Sequence, residues 1–149
     1  MSDLFADRTP PQIVEAEQAL LGAVFLEPQA ITTASEILMP EDFYRSSHQR
    51  IYRSILSLYE QGEPVDVVTV TSELKNQKIL DEVGGVAYLS DLANSAPTAA
   101  NIDYYSRIVE EKSILRRLIR TATKIVSEGF SRDDEIDTIL NESEKTILD

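Results

Sequence analysis

Apolar residues recur along this chain at three- and four-residue steps, the period of α-helices that bury one face. Between Gln12 and Leu26, the positions Ile13, Ala16, Leu20 and Ala23 share a side. Pro10 and Pro11 precede this segment, where a helix start tolerates proline, and Pro28 closes it. A short helix is predicted over residues 29–38, with Ala30, Ala34, Ile37 and Leu38 inward and Met39-Pro40 as its break. Glu41-Asp42-Phe43-Tyr44 reads as a tight turn or short 3₁₀ piece carrying two aromatic anchors. The next helix covers residues 47–61, with the stripe Ile51, Ile55, Leu58 and Tyr59, and Gly62 supplies its stop.

The stretch from Glu63 to Thr71 reads two ways. Its valines and threonines favour a strand. No second convincing strand exists to pair with it, and a lone strand leaves its backbone groups unsatisfied. Asp66 can instead cap a helix over residues 67–77 with Val67, Val70 and Leu74 inward, and this is the preferred reading. Gly84-Gly85 marks a sharp loop before a short helix over residues 86–94 that turns Val86, Leu89 and Ala93 inward. Ala96-Pro97-Thr98 is the clearest boundary in the chain. The fold expected is all-α, a globular multi-helix head (1–98) followed by a carboxy-terminal antiparallel helical hairpin (99–149).

Within the hairpin, a long helix is predicted from Ala99 to Glu128, ended by Gly129, and a second from Asp134 to Leu148. Asp133, Asp134, Glu135 and Asp137 crowd the positive amino end of the second, where the macrodipole favours them. The short loop between the two makes them antiparallel. Ile108, Leu115, Leu118, Ala122 and Ile125 follow heptad-like steps on the first helix, as do Ile136, Leu140, Ser143 and Ile147 on the second. These stripes can face each other, which leaves Val109, Ile119, Val126, Ile139 and Leu148 outside the seam. Each large side chain left in water forgoes roughly 1.5–3 kcal/mol. The flank therefore predicts cover by another helix, most simply a second copy of the hairpin; the alternative is a hairpin folded back on its own head. The expected oligomer interface is Val109, Leu115, Leu118, Val126, Ile136, Ile139 and Leu140. Charge supports the pairing: Arg107, Lys112, Arg116, Arg117, Arg120 and Lys124 on the long helix oppose Asp133, Asp134, Glu135, Asp137, Glu142 and Glu144 on the short one, although each exposed pair is worth only about 0–1 kcal/mol.

Composition narrows the classes of function. The 149 residues suit one domain or a compact head with an appendage. Hydrophobic (42%) and charged (27%) fractions are those of a folded chain and not of a disordered one. The chain has no cysteine, which excludes disulfides and thiolate zinc sites and fits a reducing cytoplasm, the expected location. The longest apolar run, Ala19 to Leu26, falls far short of the about 20 residues that span a bilayer, and residues 1–9 hold no apolar signal core. No membrane association is expected. A net charge of −12 repels phosphate and favours protein partners over nucleic acid, though maintenance of solubility explains the acidity equally well.

Catalytic constellations are not visible. No glycine-rich loop leads into Lys-Ser or Lys-Thr, and Gly84-Gly85 has neither a strand before it nor a lysine after it, so it reads as a turn. His48 is the only histidine, which makes a histidine metal site or a His-paired nucleophile hard to build; a hydrogen-bonding or packing role suits it better. The carboxylates single out no acid–base pair. Gly22, mid-helix, forgoes about 1 kcal/mol relative to alanine and points to a close helix crossing. No catalytic, cofactor or metal residue is expected in this chain. A competing reading is a binder of single-stranded DNA, with the basic long helix beside Tyr104 and Tyr105 as a stacking platform; the net charge opposes it.

An ordered series of short motifs carries a family resemblance. Pro10-Pro11-Gln-Ile-Val-Glu-Ala-Glu-Gln-Ala-Leu-Leu-Gly22, Pro40-Glu-Asp-Phe-Tyr44 with His48-Gln-Arg-Ile-Tyr52, and Gly62-Glu-Pro-Val-Asp66 with Leu74 begin it. Gly84-Gly85 with Tyr88-Leu89, and Ala100-Asn101 with Tyr105, complete it. The series resembles the amino-terminal domain of bacterial replicative DNA helicases of the DnaB type over essentially the whole chain. That resemblance implies a helical head and hairpin, hairpins paired into dimers, and three dimers forming a collar above a hexameric 5′→3′ helicase ring. It implies that ATP and magnesium belong to a motor domain outside this chain, and that DNA is held mainly there. The partners it implies are copies of the same chain, the carboxy-terminal domain of primase, and a helicase loader. It places primase-responsive positions at or near Glu15, Tyr88, Ile119 and Ile125. Ordinary packing is the competing role for each, and for Ile125 the two readings weigh the same.

Overall fold

The computed structural model describes residues 8–131 and 135–148. Every regular element among them is helical: α1 (Val14–Leu26), α2 (Ala30–Ile37), a 3₁₀ turn (Pro40–Asp42), α3 (Ser46–Glu60), α4 (Val67–Asn76), α5 (Gly85–Ala93), α6 (Ile102–Ser131) and α7 (Ile136–Leu148). They form two compact units. One is Gln12–Ser113; the other comprises Ile114–Asp149 with Met1–Pro11, as far as these are described. The helix α6 contributes its first part to one unit and the rest to the other.

The first unit is built around α1. Leu20, Leu21, Gly22, Ala23 and Val24 are all buried, so this helix is enclosed on every side along its middle and is not amphipathic there. Ile13, expected inward, is instead 38% exposed at its start. Gly22 makes the crossing with α5 possible: a Cβ there would lie 2.4 Å from the Leu92 carbonyl oxygen. Around α1 pack Ile31 and Ala34 of α2, Ile51, Tyr52 and Ile55 of α3, and Leu89 and Leu92 of α5, while Val70 and Leu74 of α4 join the same core against α3 and α5. The valine-rich segment after Gly62 is helical, as its capping residue requires. The Thr69 N–H donates to Asp66 Oδ1 at 2.8 Å and the Asp66 N–H to Thr69 Oγ1 at 2.9 Å, a reciprocal cap that fixes the start of α4.

Three expectations are corrected here. The head does not end at Thr98: Ala99, Ile102 and Val109 belong to its core, and the unit closes at Ser113. In α5 the inner face is Tyr88, Leu89 and Leu92, whereas Val86, expected inward, is 49% exposed. Gly129 does not end the long helix, which continues to Ser131.

In the second unit, Lys124 of α6 shares an open cleft with Glu142, Lys145 and Thr146 of α7. Residues seven before the end of one helix and six to ten into the next meet only if the helices run antiparallel, so the hairpin is present. Its seam differs from the expected one. On α7 the residues turned inward are Ile139, Ser143 and Thr146, while Ile136, Leu140 and Ile147 face out. The expected cross-helix charge pairing is replaced, for the residues whose pairs are resolved, by pairing within α6: Arg107 with Asp103 and Glu110, and Lys124 with Glu128. Asp133 and Asp134 lie outside the described residues.

Candidate docking surfaces

The second unit presents many exposed apolar side chains. On α6 these are Ile114, Leu115, Leu118, Ile119, Val126 and Phe130; on α7 they are Ile136, Leu140, Ile147 and Leu148. Steps of three, four and seven residues put Leu115, Leu118, Ile119 and Val126 on one side of α6, and a step of four puts Ile136 and Leu140 on one side of α7. Leu118 is 62% exposed and Ile136 72%, values no single-copy core would leave. Ile125 and Ile139 are half-buried within the hairpin. Val109 departs from expectation: at 3% exposure it is sealed in the head and offers nothing to a partner.

The first unit holds a polar cluster at the junction of α1, α3 and α5. Glu17 and His48 are 2% and 0% exposed. Glu17 comes in from α1 and accepts the Tyr44 N–H at 2.6 Å through Oε2; through Oε1 it meets His48 Nδ1 at 2.7 Å and, weakly, the Arg45 N–H at 3.4 Å. A carboxylate on the backbone N–H groups that open α3 satisfies orphan donors and complements the positive end of the helix. His48 Nε2 lies 2.6 Å from the Tyr88 hydroxyl of α5, with the two rings 6° from parallel. Gln18 Nε2 donates to the same hydroxyl at 3.2 Å and Arg45 Nη1 at 3.5 Å. His48 therefore has the hydrogen-bonding role its solitude suggested. Glu17 was missed, yet a signal existed: it shares the apolar stripe of Ile13, Leu20 and Val24, where a charged residue needs a buried partner.

A second polar tie fastens α6 to the turn after α2. The Ser113 hydroxyl donates to Asp42 Oδ1 at 2.6 Å, and the Met39 N–H to Asp42 Oδ2 at 2.7 Å. Tyr52 lies beneath, its hydroxyl donating to the Leu38 carbonyl at 3.2 Å. Burial, and then the nearby Asp42 charge, push its ionisation well above the ordinary tyrosine range.

The four positions expected to answer to primase separate into two pairs. Glu15 and Tyr88 belong to the first unit, Ile119 and Ile125 to the second. Glu15 is exposed and takes no part in the His48 cluster; Tyr88 is half-buried and central to it. Ile119 is 43% exposed. Tyr104 is 67% exposed, but Tyr105 packs against the head core, so the two do not present a joint stacking platform. Among the described residues no group of three His, Asp or Glu side chains is placed to hold a metal ion, and no helix is long and apolar enough to cross a membrane.

An all-helical head followed by a helical hairpin that carries exposed apolar side chains defines an all-α domain. The chain belongs to the DnaB-like helicase N-terminal domain family, whose model matches residues 9–111. It is 64% identical over all 149 residues to the replicative DNA helicase DnaC of Bacillus subtilis (strain 168), and 60% identical over the same length to the replicative DNA helicase DnaB of Geobacillus stearothermophilus. In both cases the chain spans 33% of the relative's length. The fold matches the crystal structure of the N-terminal domain of DnaB helicase from Mycobacterium tuberculosis with a TM-score of 0.90 and 42% identity, covering 95% of this chain and 100% of that one. It also matches a DnaB-like replicative helicase described together with its interactions with primase, with a TM-score of 0.74 and 26% identity, covering 91% of this chain and 31% of that one.

Proposed function

We propose that this chain is the amino-terminal collar domain of a replicative 5′→3′ DNA helicase, that copies of it pair through the hairpin as part of hexamer assembly, and that it receives the carboxy-terminal domain of primase in the cytoplasm during DNA replication. The observation that carries this reading is the bare apolar stripe of α6 and α7. A second hairpin related by two-fold symmetry meets the same stripe and covers it. Leu115, Leu118, Val126, Ile136 and Leu140 form that interface in the proposal; Val109, buried, is excluded from it, and Ile139, turned into the hairpin, reaches it only at its edge. Glu15, Tyr88, Ile119 and Ile125 are assigned to primase, Tyr88 through the part of its ring left outside the His48 cluster. The relative described with primase supports the choice of partner. A helicase loader acts on the same assembly, and DNA, ATP and magnesium are handled by a motor domain beyond the region spanned here; the Gly84-Gly85 turn in this chain has no lysine to cradle phosphate.

The mechanism is one of effective concentration. A primase held at the collar meets emerging single strand more often than a free one does. If its affinity differs between two collar arrangements, its binding shifts their populations and couples priming to unwinding. Two measurements test the proposal. Light scattering over a concentration series is expected to show a mass at least twice that of one chain at the upper end. Calorimetry with the primase carboxy-terminal domain is expected to show saturable heat. A strictly monomeric chain, or the absence of heat and co-elution at high micromolar concentration, overturns the corresponding half.

A further inference from the structure

Near the start of the chain the Pro11 carbonyl accepts a hydrogen bond from Arg116 Nη1 at 2.7 Å, and Arg116 is only 7% exposed. The two residues belong to the same unit. The chain is therefore fastened beside α6 at a defined position. Thr9 and Pro10 each precede a proline, which keeps their backbone extended, so the residues before Pro11 leave the anchor as extended chain. Steps of three and four carry the side of α6 that holds Arg116 onward through Ile119, Thr123, Val126 and Phe130. Toward the start of α6 this side is closed, because Val109 and Ser113 are buried. Toward its end it is bare, since Ile119, Val126 and Phe130 are all exposed.

We propose that residues 1–7 form a strap that runs back along α6 from this anchor and lays Leu4 and Phe5 on Ile119 and Val126 of the same copy. Three observations support that occupant. The first is reach. From Arg116 to Val126 the helix rises about 15 Å, and the chain from Pro11 back to Phe5 spans about 20 Å when extended. The second is chemistry. Leu4, Phe5 and Ala6 form a short apolar run bounded by Asp3 and Asp7, which suits an apolar row edged by charge. The third is charge complementarity. Among the described residues the ion pairs of α6 belong to Arg107 and Lys124. Arg120, one turn beyond Arg116 and next to Ile119, is exposed and takes none. The strap supplies carboxylates for it, and pairs this exposed orient the segment more than they hold it. Leu118 lies about 100° round the helix from Ile119 and stays open to a second copy, while Val126 borders both rows. A partner that takes Ile119 must first displace the strap, so the strap regulates access to that position.

The test uses the full chain labelled with nitrogen-15. The chain has no cysteine, so Ser2→Cys gives a single attachment point for a nitroxide spin label. In dilute solution the amide signals of Ile119, Thr123 and Val126 are expected to lose most of their intensity, and to regain it when the nitroxide is reduced. A second sample mixes spin-labelled chain at natural isotope abundance with nitrogen-15 chain that carries no nitroxide, at the same low total concentration. There the same signals are expected to keep their intensity, because the strap lies on its own copy. Replacing both apolar residues, Leu4→Ser with Phe5→Ser, is expected to abolish the loss in the first sample. These substitutions fall outside the core of the head, so the folded spectrum serves as the internal control. The strap is overturned by signal loss on another side of α6 or by none at all. It is equally overturned by loss that appears chiefly in the mixed sample, which would give the segment to a second copy, or by loss that survives the double substitution. None of these outcomes bears on pairing through Leu118 and Leu140, so the strap and the proposed pairing stand or fall separately.

Discussion

Position 22 sets how closely α1 and the end of α5 can lie. Alanine there would raise helix propensity by about 1 kcal/mol, but its Cβ would meet the Leu92 carbonyl oxygen at 2.4 Å and the Ala96 amide nitrogen at 3.1 Å. These are backbone atoms that cannot rotate away, and such overpacking typically costs about 1–3 kcal/mol. Gly22→Ala is therefore expected to lower the urea midpoint of unfolding; a raised midpoint would mean the helices can slide apart at little cost. Tyr52 supplies a pH-dependent counterpart. Its folded state favours the neutral phenol, so its contribution is complete below the ordinary tyrosine range, about pH 10, and fades as pH rises beyond it. Tyr52→Phe is expected to flatten the alkaline arm of a stability-against-pH curve, read by denaturant titration at several pH values; an unchanged arm would assign that loss to other groups. The need for Gly22 could be read from the chain, because an unfavoured glycine in a helix asks for a close neighbour. The partner of His48 could not, because Glu17 stands 31 residues away and only the packed fold brings them together.

Among the elements, α4 shows a cap overruling propensity. Val67, Val68, Thr69, Val70 and Thr71 favour extended backbone, yet the reciprocal bonds of Asp66 and Thr69 fix the first turn and the buried Val70 and Leu74 hold the rest. Asp66→Ala is expected to cost about 1 kcal/mol, seen as a lower melting temperature with helical circular dichroism retained in the cold; a stability loss within error would place the weight on packing alone. The cap could be read directly because it depends on residues three apart. The inner face of α5 could not. Nine residues define its period loosely, and its rotation follows from Tyr88 reaching His48, 40 residues distant. Gly129 misled for a related reason: a glycine ends a helix when the backbone turns left-handed there, and the described glycines that do so are Gly62, Gly84 and Gly85.

For the whole molecule, the apolar surplus of the hairpin was visible in the chain, because two helices cannot hide that many large residues. Its orientation was not, since α7 turns Ile139 and Ser143 inward and leaves Ile136 and Leu140 in water. That rotation sharpens the expected interface. In a two-fold symmetric pair each residue acts twice, so a single substitution removes two contributions. Leu118 and Leu140, at 62% and 59% exposure, would each bury enough surface on pairing to give about 2–4 kcal/mol over both copies. Replacing either with glutamate should then raise the dissociation constant of the pair roughly 30- to 1,000-fold. Because both side chains are largely in water within one copy, the same substitutions should leave the unfolding midpoint of the dilute chain nearly unchanged. The reverse pattern is expected for Val109→Ala, which empties core volume in the head: lower stability by about 1–3 kcal/mol with association preserved at temperatures where the chain remains folded. Sedimentation equilibrium beside thermal unfolding separates the two classes, and association unaffected by both glutamates would move the contact between copies away from this stripe.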